Sequence, residues 1–141
     1  MPVVVGVDDS PVAPEIVARA LEQARWRDAE LHVAHVKQLP MTYSDAPVDW
    51  RAVAEAQRSA VWAGLDEVLS ETDIPVKRVD VEGYPPDTLV RYASDINASL
   101  LVVGTRGRGE FASLILGSTS HRAIHLAECD VLIVKPTESE A

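Results

Sequence analysis

The segment Val3-Val4-Val5-Gly6-Val7 is apolar throughout, with no polar residue alternating into it. A strand with one wet face would alternate, so an unbroken run points to a strand covered on both faces, as in a parallel sheet layered between helices. The rest of the chain repeats the theme. Pro11 to about Arg27 places Val12, Ile16, Val17, Ala20, Leu21 and Ala24 on one helical face, and Leu31 to Val36 returns to strand. Lys37 to Pro47, with two prolines and no period, reads as a loop. Asp49 to about Leu69 is a long helix with Val53, Ala54, Val61, Leu65 and Val68 facing inward, and Val76 to Val81 is a third strand. Pro85 and Pro86 suit the first turn of the next helix, whose buried stripe is Leu89, Ala93 and Ile96. Leu100 to Val103, Ser118 to Ala127 and Val131 to Val134 complete the pattern as strand, helix and strand, and the polar tail from Thr137 to Ala141 is expected to be loose. Strands separated by helices predict an α/β fold, a Rossmann-like open sheet of five parallel strands with right-handed crossovers and helices on both faces. The length of 141 residues predicts a single domain over residues 1–141.

Charge narrows the partners. Asp and Glu number 22 against 13 Lys and Arg, a formal net charge of −9. That balance argues against broad binding to nucleic acid or to an anionic membrane surface, both of which call for a basic footprint. No apolar run approaches the roughly 20 residues of a membrane span, and the opening MPVVVGVDDS lacks the basic start of a secretory signal. A single cysteine, Cys129, rules out a disulfide within the chain and fits a reducing, cytoplasmic setting.

In open parallel sheets, ligands bind beyond the carboxyl ends of the strands, where the strand order reverses. The distinctive residues of this chain fall there. Asp8, Asp9 and Ser10 follow the first strand; Gly104-Thr105-Arg106-Gly107 follow the fourth; and after nine further residues Gly117-Ser118-Thr119-Ser120 open the last helix. Glycine permits close backbone approach to a ligand. A helix start offers unpaired N–H groups at the positive end of its dipole, the combination that a phosphate needs. One helix terminus contributes only about 0.3–1 kcal/mol, so affinity requires several contacts together. Arg106 could add a guanidinium fork for an oxyanion, Arg108 less directly. Other phosphate motifs are missing: no glycine is followed by Lys and then Ser or Thr, and Gly104-x-x-Gly107-x-Gly109 has the wrong order for a dinucleotide fingerprint. No nucleophile–base–orienter set is visible, so no catalytic residue is assigned. His121 and His125 are four apart with Glu128 near, short of the three or four ligands a first-row metal site usually needs, and no metal site is expected. His32 and His35, at odd spacing on one strand, should face opposite sides of the sheet.

These residues resemble the nucleotide-binding branch of the universal stress protein family, which is marked by Gly, two residues, Gly, nine residues, then Gly-Ser or Gly-Thr. Gly104, Gly107, Gly117 and Ser118 match with the spacing intact, as do the first-strand Gly-Val-Asp-Asp-Ser and the Gly83-x-Pro85 turn, although Asp9 stands where glycine is common. The likeness runs from Val3 to Lys135. It implies strand order 3-2-1-4-5 and a homodimer through antiparallel pairing of the last strands. It also implies roles by position. Asp8 would meet the ribose or adenine, and the backbone of Val36 would face adenine. Val103, Gly104, Arg106 and Gly107 would line the ribose and phosphates, and Gly117, Ser118, Thr119 and Ser120 would bind phosphate oxygens. The implied ligand is ATP, with or without Mg2+, bound by a stress-response regulatory or signalling protein that acts on a protein partner. The alternatives are a slow ATPase or autophosphorylating enzyme, and a nucleotide-independent dimeric adaptor.

Overall fold

The computed structural model describes residues 1–37, 49–105 and 118–137. Along the chain lie β1 (Val3–Val7), α1 (Ala13–Trp26), β2 (Leu31–Lys37), α2 (Trp50–Ser70), β3 (Val76–Glu82), α3 (Pro85–Asp95), β4 (Leu100–Gly104), α4 (Ser118–Leu126) and β5 (Asp130–Val134). The strands form one five-stranded sheet in the order β3-β2-β1-β4-β5, every pair parallel.

The unbroken apolar runs are explained by two cores, one on each face. Alternate residues Val3, Val5, Leu31, Val33, Leu100 and Val102 pack under α1 and α2 against Ile16, Val17, Val61 and Leu65. Their neighbours Val4, Ala34, Leu101 and Val103 pack on the other face against Leu89 and Ala93 of α3 and Ala123 of α4. Gly6 lies on this second face, where an added Cβ would come within 2.5 Å of Leu89 Cδ1, so the missing side chain lets α3 sit close to the sheet. The edge strand β3 is half exposed along its length, as an edge supporting fewer neighbours should be.

Local chemistry shifts several boundaries from the sequence expectation. Helix α1 starts at Ala13 rather than Pro11, because the intervening residues form a turn. The Asp8 carboxylate accepts the Ser10 N–H at 2.9 Å, Ser10 Oγ accepts the Val12 N–H at 3.3 Å, and Ser10 O accepts the Ala13 N–H at 3.1 Å. The cap position is Val12, so neither Asp9 nor Ser10 caps the helix directly. Asp49 does cap α2, accepting the Ala52 N–H at 3.1 Å. Val53, expected to face inward, is 41% exposed, and before Val61 only Ala54 of α2 is buried. Helices α1 and α3 each end through a left-handed residue, Asp28 at φ 52° and Asn97 at φ 57°, in place of the usual glycine. Thr137 is not loose: its N–H and hydroxyl both donate to the Glu15 carboxylate, at 2.6 and 2.9 Å, tying the segment after β5 to the first turn of α1. Lys37, expected to open the loop to Pro47, is still part of β2, and the rest of that loop lies outside the described residues. Among the described residues no helix is long and apolar enough to cross a membrane.

Candidate functional site

The sheet opens at one place. Strands β1 and β2 stay paired to Val7↔His35, and β4 and β5 stay paired to Gly104↔Val134. Between them, β1 and β4 pair only as far as Val5↔Val102. The last two residues of each, Gly6–Val7 and Val103–Gly104, therefore part from one another. Here too the layers reverse, since α1 covers the face of the first core while α3 and α4 cover the second. This is the switch point at which open parallel sheets form a crevice beyond their carboxyl ends.

Three of the four groups of expected residues border that parting. Asp8, half-buried, continues from β1; Val103, buried, and Gly104, half-buried, end β4; and Ser118, Thr119 and Ser120 make the first turn of α4. Val36 lies one strand over, near the end of β2, where it packs partly buried against the second core. Arg106, Gly107 and Gly117 lie outside the described residues, as does Arg108. Ser120 is 1% exposed, and its hydroxyl donates to the carbonyl oxygen of Gly104. The N–H on the other side of that same peptide, at Thr105, donates to Val134 O at 2.9 Å. The peptide after Gly104 is thus held on both sides by protein, its carbonyl by Ser120 and its N–H by Val134.

Two polar clusters on β2 are internally satisfied. His35, buried on the first face, has Nδ1 3.3 Å from Asp80 Oδ1, and the same carboxylate accepts from Trp62 Nε1 at 3.1 Å and Arg58 Nε at 3.0 Å. Burial alone would raise the Asp80 carboxyl, but the hydrogen bonds from Trp62, His35 and Arg58 outweigh it and hold the group below its ordinary range. His32, buried on the opposite face as its odd spacing from His35 requires, lies between Glu30 Oε1 at 2.9 Å and the Tyr92 hydroxyl at 2.6 Å. The hydrogen bond from His32 lowers the Glu30 carboxyl, while burial and then the Glu30 charge push the Tyr92 hydroxyl up. A carboxylate only accepts, so Glu30 accepts the Nε2–H, and in that tautomer Nδ1 accepts from the Tyr92 hydroxyl. Neither cluster was anticipated. Their hydrogen-bonded partners are up to 60 residues apart, and only the odd spacing of the two histidines hinted at them.

His121 and His125 stack edge-on at 4.9 Å on the exposed side of α4, and among the described residues no group of three or more potential metal ligands converges. Burial raises the Cys129 thiol, which packs against the second core as a small hydrophobe.

Comparison with known proteins agrees with this architecture. Residues 1–135 match the model of the universal stress protein family. The chain belongs to this family. Among universal stress proteins, one from Methanocaldococcus jannaschii is 29% identical over 98% of this chain and 84% of its own length. One from Mycobacterium tuberculosis is 34% identical over 95% of this chain and 45% of its own, so the chain spans about half of that relative. The fold matches that of universal stress protein UspA from Lactobacillus plantarum with a TM-score of 0.82 at 21% identity, covering 95% and 97% of the two chains. It also matches a universal stress protein crystallised in complex with cAMP, with a TM-score of 0.74 at 27% identity and coverage of 97% and 98%.

Proposed function

We propose that this universal stress protein binds an adenine nucleotide, ATP foremost, where β1 and β4 part, and that it serves as a stress-response regulatory protein whose bound nucleotide governs a protein partner. The observation that carries the reading is the early end of the β1–β4 ladder, with an acid on one lip and a glycine on the other. Asp8 is suited to a ribose hydroxyl, which a carboxylate accepts in a charge-assisted hydrogen bond. Gly104 lets the sugar approach the end of β4, and the backbone of Val36 faces the base. The amino terminus of α4 supplies N–H donors and the positive end of a dipole for phosphate, together with Ser118 and Thr119. Gly107, Gly117 and Arg106 complete the cradle on the motif's spacing. Mg2+, where it is present, arrives with the phosphates. The relative bound to cAMP supports an adenine nucleotide as the ligand class.

Titration calorimetry of nucleotide-free protein with ATP, ADP, AMP and cAMP, with and without magnesium, tests the reading. Saturable heat with ATP is expected, and flat titrations with all four reject it. The reading also includes a homodimer through β5, which among the described residues pairs only with β4 and so leaves one edge for antiparallel pairing across a two-fold axis. Sedimentation at micromolar concentration is expected to give the dimer mass, and a monomer rejects that part alone.

A further inference from the structure

The peptide joining Gly104 to Thr105 is held on both sides. Its carbonyl oxygen accepts the Ser120 hydroxyl, and its N–H donates to the last residue of β5, Val134. Ser120 lies 16 residues further on, in the first turn of α4, and is almost fully buried. A serine so near a helix start ordinarily turns its hydroxyl onto its own helix. Here the hydroxyl crosses to a strand instead, so one hydrogen bond joins the end of β4 to the start of α4. These are the two ends of the segment that carries the glycine motif.

We infer that Ser120 is a positioning residue: by holding the Gly104 carbonyl it sets α4's first turn at the spacing from β4 that lets one nucleotide meet both. This rests on the nucleotide reading and gives Ser120 a different part in it from that of a phosphate ligand. A buried hydroxyl committed to a carbonyl has no proton left for a phosphate oxygen. Its removal deprives the carbonyl of a partner that water cannot easily replace. The consequence falls on registration between the sugar-facing strand end and the phosphate-facing helix start. Ligands that engage both ends feel it, and ligands that engage only the strand end do not.

The test compares wild type, Ser120→Ala and Ser120→Thr by amide hydrogen exchange without ligand and by calorimetry with ATP and with adenosine. For Ser120→Ala, exchange at the Thr105 amide should speed up about tenfold. ATP affinity should fall about tenfold while adenosine affinity stays within about twofold. Ser120→Thr, which keeps the hydroxyl, should retain both slow exchange and the preference for ATP. Unchanged Thr105 exchange in Ser120→Ala overturns the inference, since a direct phosphate ligand would leave the ligand-free protein untouched. Faster exchange with equal losses for ATP and adenosine, or with no loss, overturns the positioning role. A wild type that binds neither ligand, with Thr105 still exchanging faster in Ser120→Ala, rejects the nucleotide reading alone and supports the tie between strand and helix.

Discussion

Strands β2 and β3 remain paired over seven residues to Lys37↔Glu82, whereas their neighbours β1 and β4 separate after three, at Val5↔Val102. The polar side chains follow the same division. Beside the long ladder, the Asp80 carboxylate is taken up by His35, Trp62 and Arg58, and α2 is thereby fastened to the sheet. Beside the short one, Asp8 and the start of α4 are brought to an opening in the sheet. A charged group that the fold encloses and satisfies contributes to stability. Asp8, where two strands part, is the acid that the proposed nucleotide site would use.

That contrast can be broken by exchanging the expected effects. Asp80→Ala should be the most damaging of these changes to stability, lowering it by about 2 kcal/mol in urea unfolding, because it leaves the Trp62 and His35 donors without their acceptor. Nucleotide affinity should stay within about twofold of wild type. A large loss of affinity in a folded Asp80→Ala protein would merge the two regions. Asp8→Asn should do the reverse. It keeps an oxygen for the Ser10 N–H, while nucleotide affinity falls about five- to tenfold. Equal affinities by calorimetry would remove Asp8 from the site. Gly6→Ala, on the wall of the opening but facing α3, should lower stability by about 1 kcal/mol as Leu89 is displaced, which thermal unfolding would register.

The smallest expected effect is a pH dependence. Asp80 titrates below its ordinary value of 3.8 in the folded protein, so its contribution to stability is complete above that value and is lost as the pH falls through the lower, folded one. Unfolding measured from neutral pH into the acid range should therefore show a steeper decline for wild type than for Asp80→Asn. Parallel curves would mean that the carboxylate's charge is not what holds the network.

Much of the fold was legible because it depends on short-range pattern. Val3–Val7 and Leu100–Val103 advertise burial on two faces, and the stripes of α1 and α3 need no knowledge of their partners. Pattern fails where the outcome depends on what lies opposite. Val53 belongs to an apolar stripe on α2, but a stripe does not reveal how far the surface beneath it extends. Thr137 meets Glu15 across 122 residues, and Asp80 meets His35 across 45, with nothing local to mark either pair. The glycine spacing located one end of the sheet, yet the early end of the β1–β4 ladder and the turn of Ser120 toward Gly104 are properties of the assembled strands.

Hydrogen exchange of the wild type with and without saturating ATP, read amide by amide, tests the central claim most directly. Binding where β1 and β4 part predicts slowed exchange at residues 6–10, 104–105 and 118–120, with no change around His32 and Tyr92 at the opposite end of the sheet. Protection that appears around His32 and Tyr92, or none at 6–10 and 118–120 under saturating ATP, would contradict it.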